Sequence, residues 1–320
     1  MPPVAHWDDV EPRRRERGHI AGSWRDLGEA AGSVTVGLQR IQVDPGMWST
    51  PLHLEGAEEE IFFVLAGSGH SVLWHGDDDT GAYAVGAGDC LVHLALVHAH
   101  TLQAGPDGLE VLTFGQRHYA RNTLLPRAGV SWLGPTWVLQ GAPEDHPYKR
   151  EAAVGPPEVG ELAARPSHIV NVEDVERATR DGATVARTVR DLGRAAGSFA
   201  TGLRLFDAAP GKLHAPPHCH TAEEEIFVVL EGDGTLELWP GRPVDGPEEH
   251  PVRRGSVVAR PAGTGVAHAF RGGPGGLSLL AYGTRDPRDV AYYPRSGKVS
   301  LRGVGVVGRL DVLDYWDGED

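Results

Sequence analysis

The chain contains an internal repeat, and this repeat limits the folds open to it more than any other feature. Residues 26–38 read DLGEAAGSVTVGL, and residues 191–203, 165 positions later, read DLGRAAGSFATGL. The block AEEEIF occurs unchanged at residues 57–62 and, at the same offset, at residues 222–227. A repeat of this length indicates a duplicated domain rather than a solenoid unit. We therefore expect two domains of one fold, for which the chain of 320 residues is long enough.

The two copies are not matched at a single offset throughout. Residues 114–117 (FGQR) correspond to residues 282–285 (YGTR), 168 positions later. The loops between the matched segments therefore differ by a few residues. We place the boundary between the copies at residue 150, so that one domain comprises residues 1–150 with an N-terminal arm and the other comprises residues 151–320 with a linker and a C-terminal tail.

The composition favours short strands over long helices. The chain has 43 Gly and 24 Pro, and apolar and polar residues alternate in short runs that Gly, Pro and Asp separate. In the first copy, the runs that we interpret as strands are residues 34–36, 38–43, 61–65 and 71–74, and residues 76–81 are predicted to form a hairpin turn. Regularly spaced short strands predict an all-β sandwich or barrel.

A histidine-rich stretch in the second copy has the spacing of a metal site. His218 and His220 are two residues apart, and in a strand such residues point to the same face. Glu225 follows closely, and His268 lies at the start of a later strand. Two imidazoles and a carboxylate suit a divalent first-row metal and leave coordination positions for water or substrate. The alternative is that these histidines are core or surface residues without a metal.

This spacing resembles the two sequence motifs of the cupin superfamily. The residues that match the first motif are Gly211, His218, His220, Glu225 and Gly232, and those that match the second are Gly255, Pro261, Gly263 and His268. Two departures are visible. The spacer after Gly211 has six residues rather than the usual five, and His268 lies two residues later than the commonest spacing.

The resemblance implies a fold and a ligand set. The fold is all-β, with two tandem double-stranded β-helix (jelly-roll) barrels. The implied ligands of one divalent ion (Fe, Mn, Ni or Zn) in the C-terminal barrel are His218, His220, Glu225 and His268. Between these ligands, Glu223 and Glu224 are interpreted as a solvated turn and Cys219 as a small buried apolar group.

The first copy carries a degraded version of the motif. Its corresponding residues are His53, Glu55, Glu60 and His100, so a carboxylate stands where the second copy has His220. His93 and His98 are close by in sequence, and Leu-Ala-Leu replaces the Pro-x-Gly of the second motif. A second, weaker metal site is one interpretation, and carboxylate-rich sites favour harder metals. The alternatives are a retired site kept for structure and a protein in which only the second barrel is loaded.

Charge and cysteine content limit the partners. The net charge is −14, which argues against a nucleic-acid backbone and against an anionic membrane surface. No apolar run approaches the length of a membrane span, and the N-terminus shows no signal-peptide pattern. Two cysteines do not make a disulfide framework, so we expect a cytoplasmic protein. The expected partner is a small-molecule substrate, and the expected state is a monomer or a homodimer.

The segments outside the repeats lead to further expectations. Residues 1–25, with Arg13–Arg15, are interpreted as an arm that packs on the other domain or on a partner subunit. Residues 131–168 are rich in X-Pro pairs and form the expected connection between the domains. Residues 171–180 are predicted to form a short helix capped by Asn171. The tail after residue 292 is apolar enough that we expect it to pack against a barrel.

Fold alone does not select a function, because the cupin fold serves many reactions. The leading hypothesis is a metal-dependent oxygenase, since the two-barrel layout is similar to that of quercetinase-like and gentisate-dioxygenase-like proteins. In this hypothesis Glu225 leaves the metal and acts as a catalytic base. His214 is a candidate group of the pocket, and the favoured interpretation is a residue of the cavity mouth or of a loop.

Two other classes of function stay open. One is an isomerase or epimerase in which the ion acts as a Lewis acid on a sugar-like substrate, with Arg260, Arg285 and Arg295 as candidate groups of a basic pocket. The other is a non-catalytic protein that binds or stores a small molecule around a structural metal.

Overall fold

The computed structural model describes residues 4–76, 79–118, 121–133, 136–137, 146–240 and 246–319. Antiparallel strands dominate these residues, in two successive halves of similar layout, and the predicted all-β fold of two tandem barrels is confirmed. No helix in the described residues is both long and apolar enough to cross a membrane.

The first half contributes twelve strands and one short helix. In chain order these are β1 (Ala5–His6), β2 (Arg13–Arg17), β3 (Ile20–Asp26), α1 (Leu27–Ala30), β4 (Val36–Val43), β5 (Leu54–Glu55), β6 (Glu60–Gly76), β7 (Asp79–Gly86), β8 (Asp89–His93), β9 (Ala99–Gln116), β10 (Asn122–Leu125), β11 (Val130–Leu133) and β12 (Thr136–Trp137). The predicted hairpin at residues 76–81 coincides with the β6–β7 connection, but residues 77–78 lie outside the described residues.

The second half begins with the longest helix and repeats the pattern. In chain order the elements are α2 (Pro147–Val154), β13 (Ile169–Asn171), a 3₁₀ turn (Val172–Asp174), β14 (Ala178–Asp181), β15 (Ala186–Asp191), α3 (Leu192–Ala195), β16 (Thr201–Ala208), β17 (Cys219–His220), β18 (Glu225–Trp239), β19 (Glu248–Arg253), β20 (Ser256–Arg260), β21 (Ala267–Thr284), β22 (Val290–Tyr293), β23 (Lys298–Leu301), a second 3₁₀ turn (Arg302–Val304) and β24 (Val306–Arg309). The boundary proposed at residue 150 falls inside α2.

Each barrel is built from one eight-stranded and one four-stranded sheet. In the first barrel the orders are β13-β8-β6-β9-β4-β3-β2, with β7 on β6, and β12-β11-β10-β5. In the second they are β1-β20-β18-β21-β16-β15-β14, with β19 on β18, and β17-β22-β23-β24. The two long strands of each barrel, β6 with β9 and β18 with β21, are paired directly and carry the acid and the last histidine of the motif.

The barrels exchange their leading strands. The strand β1 precedes the first barrel but pairs with the second, where Ala5 lies opposite Val257. In the same way β13 precedes the second barrel but pairs with the first, where Val170 lies opposite Cys90. The predicted packing of the N-terminal arm on the other domain is therefore correct for β1, whereas β2 belongs to the first barrel's own sheet.

An apolar interface joins the barrels. One buried cluster contains residues of both halves, and at its centre the rings of Phe114 and Tyr282 stack with centroids 5.3 Å apart. Two further clusters fill the interiors of the separate barrels. The site residues described below are thus held by two packed interiors and a shared interface.

The backbone conformation explains why each copy of the first motif ends in glycine. Gly232 has φ +77°, and a Cβ there would lie 2.3 Å from the carbonyl oxygen of Gly276. Gly67 has φ +80°, and its Cβ would lie 2.2 Å from the carbonyl oxygen of Gly108. Only glycine combines a left-handed conformation with so close an approach of a neighbouring strand, so β6 and β18 bend at these positions.

One prediction about the flanking segments was wrong, and another held only in part. Asn171 does cap a helical turn, but the turn is limited to Val172–Asp174 and the chain then enters β14, because β15 offers a pairing edge. The tail does not pack against a barrel beyond β24, since residues 310–319 are exposed and Trp316 keeps 65% of its surface accessible.

Candidate metal centre

Three elements of the second barrel bring the predicted ligands together. His220 lies on the short strand β17, Glu225 is the first residue of β18, and His268 is the second residue of β21. His218 pairs with β21: its backbone N–H donates to the carbonyl oxygen of His268 at 3.2 Å, and its carbonyl oxygen accepts the N–H of His268 at 2.9 Å. The rings of His218 and His220 are 5.0 Å apart, as expected for residues on one face.

The three imidazoles converge on one carboxylate oxygen. Glu225 Oε2 lies 3.1 Å from His268 Nε2, 3.3 Å from His220 Nε2 and 3.8 Å from His218 Nε2. The ligand atoms of His218, Glu225 and His268 all lie within 4.8 Å of one another. The structure therefore brings all four predicted residues of the second barrel to one point.

The outward nitrogen of two imidazoles is held by an acceptor. His218 Nδ1 lies 2.9 Å from the carbonyl oxygen of Pro216, and His220 Nδ1 lies 2.7 Å from Asp289 Oδ2. A proton on each Nδ1 donates to these oxygens and leaves the Nε2 lone pair directed at Glu225. Such outer partners fix the ring and increase its basicity as a ligand.

Asp289 is itself fixed by the backbone. It is buried, and its Oδ1 accepts the backbone N–H groups of Thr221 and Ala222, both at 3.0 Å. The turn that follows His220 thus wraps around the carboxylate that orients its ring. The position of His220 therefore depends on a residue 69 positions away in the chain.

Burial and mutual pairing shift the pKa values of these groups in opposite directions. Burial lowers the pKa of His268 to about 3, although Glu225 opposes the shift. Burial would also lower the pKa of His220, but the hydrogen bond to Asp289 and the adjacent carboxylate of Glu225 raise it to about 10. Burial would raise the pKa of Glu225, but His220 and His268 hold it well below its usual value. The site thus contains a carboxylate that stays ionised among imidazoles.

The buried atoms of this site fit a metal ion. Among the residues that the structure describes, His220 Nε2, His268 Nε2 and Glu225 Oε2 are buried and have no hydrogen-bond partner of acceptable geometry. An unsatisfied buried polar atom costs about 1–3 kcal/mol. A divalent ion between them would satisfy all three, and imidazole with carboxylate is a donor set of first-row metals.

The first barrel has a similar but self-satisfied arrangement. Glu60 Oε2 lies 3.2 Å from His53 Nε2 and 3.0 Å from His100 Nε2, and both contacts are hydrogen bonds. His53 Nδ1 lies 2.9 Å from the carbonyl oxygen of Pro51, which repeats the arrangement at His218. Glu55 is more distant, with Oε1 3.9 Å from His53 Nε2. The fit to a metal is therefore weaker here.

The difference between the two sites is a paired exchange of charge. Arg121 occupies the position of Asp289 at the offset of 168 residues, and Glu55 occupies that of His220 at the offset of 165. A buried His–Asp pair in the second barrel thus corresponds to a Glu–Arg couple in the first. Burial raises the pKa of Glu55, Glu60 raises it further, and the charge of Arg121 opposes both; Thr123 also donates to the carboxylate at 2.9 Å.

The two other histidines near the first site belong to its wall. The ring of His93 stacks on that of His100 with centroids 3.8 Å apart, and that of His98 stacks on His168 at 5.3 Å. Neither joins a group of converging ligand atoms in the described part of the chain.

The second site opens into a cavity of about 420 Å³ with basic walls. The cavity is lined, among others, by Arg187, Arg204, Phe206, His214, Glu223, Arg285, Tyr293 and Arg302. His214 is buried rather than placed at a mouth, and its Nδ1 accepts the backbone N–H of Phe270 at 3.0 Å. Of the three arginines considered from the sequence, Arg285 lines this cavity, whereas Arg260 donates to the carbonyl of Val266 and Arg295 lies over the ring of Trp239.

The interpretation of Glu223 and Glu224 as a solvated turn was wrong. Both are buried, with 2% and 1% of their surfaces accessible. Glu223 pairs with Arg302 and accepts the backbone N–H of Asp286 at 2.8 Å, and burial raises its pKa to about 7. Glu224 reaches across to the first barrel. Consecutive acids resemble a surface turn, but here each acid has its own buried set of donors.

Sequence reasoning missed Asp289, Arg187 and Tyr293. The ring of Tyr293 stacks on that of His218 with centroids 5.6 Å apart. These residues lie outside both motifs, so motif spacing could not find them. One signal was available for Asp289: the aligned repeats place Arg121 opposite it, and this reversal of charge accompanies the replacement of His220 by Glu55.

Comparison with known proteins agrees with this architecture. Residues 204–276 match the family profile described as the cupin domain. A formate complex of oxalate decarboxylase from Lactobacillus farciminis is 16% identical, with a TM-score of 0.60 over 89% of this chain and 86% of that one. A deletion mutant of the Bacillus subtilis oxalate decarboxylase is also 16% identical, with a TM-score of 0.60 over 88% and 77%. No curated protein sequence matches the chain.

At such identities the structural likeness shows the fold alone. The fold is that of two tandem all-β barrels, and residues 204–276, within the second barrel, match the cupin domain.

Proposed function

We propose that the second barrel is a metal-dependent enzyme site and that His218, His220, Glu225 and His268 are the ligands of one divalent ion. The observation that carries this proposal is the group of three buried ligand atoms that face one another without hydrogen-bond partners. The first barrel offers His53, Glu55, Glu60 and His100 as a second, weaker site, where the polar atoms already bond to one another.

The chain's own residues supply orientation and enclosure. A bound ion would act as a Lewis acid or as a redox centre toward a substrate oxygen. Asp289 holds the ring of His220, and Pro216 holds that of His218, so both lone pairs stay directed inward. Tyr293 covers one face of His218, and Phe227 packs its ring edge-on against His268 at 5.2 Å, which excludes water from that side.

The reaction that we propose first is an oxygenation of a small organic substrate. A three-histidine, one-carboxylate set leaves open positions for a chelating substrate and for dioxygen. In this proposal Glu225 would be the base that accepts a proton from the substrate.

A decarboxylation is the second candidate. It is favoured by the likeness to two oxalate decarboxylases, one of which holds formate, and a further structure of the Bacillus subtilis enzyme was used to assign its Mn(II) centres. The basic walls of the cavity suit an acidic substrate in either reaction. The isomerase and the storage protein remain weaker alternatives.

The test is the metal content per chain of wild type and of His220→Ala, each purified without added metal. We expect one equivalent in wild type and its loss in the variant. His250→Ala is the matched control, because His250 lies in the same barrel on β19 and pairs with the exposed Glu248. Full metal content in His220→Ala would refute the ligand set.

The same samples then separate the reactions. Iron with consumption of oxygen on a panel of small acids and phenols supports an oxygenase. Manganese with release of carbon dioxide and no net loss of oxygen supports a decarboxylase. Protein that binds no metal, even on reconstitution, contradicts both.

A further inference from the structure

One cation in the wall of the second-barrel cavity has no anion beside it. Arg187, on β15, is partly buried and faces the cavity. One guanidinium N–H donates to the carbonyl oxygen of His214 at 2.5 Å, and the guanidinium lies 4.8 Å from the centroid of the Phe206 ring. No carboxylate within the described residues pairs with it. Burial lowers the pKa of Arg187, and the charges of Arg204 and Arg180 lower it further.

Each of the other arginines of this cavity wall has a carboxylate beside it. Arg204 Nε lies 3.0 Å from Asp191, Arg285 lies 3.6 Å from the same carboxylate group, and Arg302 pairs with Glu223. A buried or half-buried charge is normally paired, since desolvation costs several kcal/mol. Arg187 therefore differs from its neighbours in a way that a bound anion would explain.

The contacts of Arg187 leave most of its guanidinium N–H groups, which form a planar fork, free to bind an anion. The guanidinium has five N–H donors, and the structure uses one of them. Phe206 supports its plane from one side, so the planar edge stays oriented rather than mobile. A planar, oriented guanidinium edge matches a carboxylate through two parallel hydrogen bonds.

Arg187 faces the same cavity as the candidate ligands. His218, Glu225 and Tyr293 line that cavity together with Arg187. An anion bound at Arg187 would therefore share the cavity with the candidate metal centre.

The position of Arg187 is not repeated in the first barrel, which has Gly22 at the offset of 165 residues. Arginines also line the cavity of the first barrel, but they come from other positions, such as Arg15, whose guanidinium lies 5.1 Å from the centroid of the Trp24 ring. The cavity of about 420 Å³ is near the lower end of the range for small-molecule sites, about 300–1,000 Å³.

We infer that Arg187 anchors the carboxylate of a small organic acid, and that this contact selects the substrate class of the second barrel. This inference rests on the proposed function, because it treats the cavity as the substrate site. The anchored end is held by the fork of Arg187 over Phe206, and the other end of the acid points toward Glu225 and the three histidines.

The test compares malonate with its neutral analogue malonamide as ligands of metal-reconstituted protein by calorimetry. We expect wild type to bind malonate and to bind malonamide about tenfold or more weakly, since a charged hydrogen-bonded contact is lost. Arg187→Gln should lower the affinity for malonate about 10–100-fold, and Arg187→Lys should be intermediate because lysine lacks the fork. Arg180→Gln, at an exposed position of β14, is the control and should bind as wild type does.

Metal analysis of the same variants separates this inference from the proposed function. Arg187→Gln should keep the metal content of wild type. Wild type that holds metal but binds neither ligand, or binds both equally, or an Arg187→Gln variant with unchanged affinity for malonate, would overturn the inference and leave the proposed function standing. If wild type holds no metal, the proposed function fails, and the effect of Arg187→Gln on malonate binding by the metal-free protein still decides the inference.

Discussion

The carboxylate of Glu224, in the second barrel, accepts a hydrogen bond from the backbone N–H of Val34, in the first barrel, at 2.8 Å. The same carboxylate accepts from the backbone and the hydroxyl of Thr35, both at 2.5 Å. The repeat produces the mirror contact, in which Glu59 accepts from Ser198 Oγ at 2.5 Å and from the backbone N–H of Phe199 at 3.2 Å. Each acid therefore ties a loop of the opposite barrel to the residue beside a candidate ligand.

Replacing either acid should weaken the contact between the barrels. Glu224→Gln keeps the shape of the side chain but removes its charge. It also places an amide NH₂ group next to the donor groups of Val34 and Thr35. We expect a loss of about 2 kcal/mol in the free energy of unfolding, because hydrogen bonds to a charged group contribute about 1.5–3 kcal/mol. Glu59→Gln should behave alike, and Glu249→Gln, at an exposed position, should stay within about 0.5 kcal/mol of wild type. Urea denaturation measures all three, and equal stability of all variants would contradict this account.

The repeat made much of the fold predictable, and the reason is physical. Alternating strands, Gly232 and Gly67 at tight bends, and ligands on one strand face all follow from local geometry. The exchange of β1 and β13 between the barrels does not, because a two- or three-residue strand has no periodicity that specifies its partner. The helix predicted after Asn171 failed for a related reason, since tertiary pairing with β15 overrode the cap signal.

The candidate site also contains some residues that the sequence predicted and others that it did not. His218, His220, Glu225 and His268 were found because they match a motif of fixed spacing. The groups that orient and charge the site, such as Asp289 and Arg187, come from strands and turns remote in sequence, and only the fold brings them near. Glu224 was wrongly predicted to be exposed to solvent, because its neighbours in sequence are also acidic. It is in fact buried, and its partners lie about 190 residues away in the chain.

Asp289→Asn should weaken metal binding without removing a ligand. The substitution replaces the acceptor of the His220 Nδ1 proton by a weaker, neutral group. Outer partners of this kind typically change metal affinity about 10–100-fold, so we expect a loss in that range, measured by competition with a chelator. Asp286→Asn should retain wild-type affinity, because among the described residues the Asp286 carboxylate bonds only to the side chain and the backbone N–H of Arg288. Because Asp289 also accepts backbone N–H groups, the unfolding temperature is recorded alongside, and unchanged affinity in a folded variant would contradict the orienting role.

The paired exchange of charge predicts a gain of metal in the first barrel. The double variant Glu55→His with Arg121→Asp gives this barrel the histidine and the supporting acid of the second. Made in a His220→Ala background, it should bind one equivalent through the first barrel, as measured by elemental analysis. Glu55→His alone should bind less, since the new histidine lacks its carboxylate partner. Equal metal content in the single and the double variant would show that Arg121 and Asp289 are not functional counterparts.

His214 should make the stability of the protein depend on pH. Burial first, and then the neighbouring His218, His268 and Arg187, hold its pKa well below the usual 6.5, while Glu225 opposes the shift. A histidine with a depressed pKa in the folded state takes up its proton on unfolding, so the folded form loses stability as the pH falls below 6.5. In His214→Ser the hydroxyl can accept the Phe270 N–H without titrating, as Ser49 accepts that of Leu102 at 3.2 Å in the first barrel.

The comparison to make is therefore of slopes rather than of absolute stabilities, because the smaller serine leaves a void that lowers stability at every pH. Between pH 6.5 and about pH 5.5, wild type should lose about 1 kcal/mol more in the free energy of unfolding than His214→Ser. The metal ligands titrate in both proteins, so their contribution cancels in the difference. Urea denaturation at several pH values in a chelating buffer measures this difference. If the free energy of unfolding varies with pH in the same way in both proteins, His214 is not held neutral in the fold.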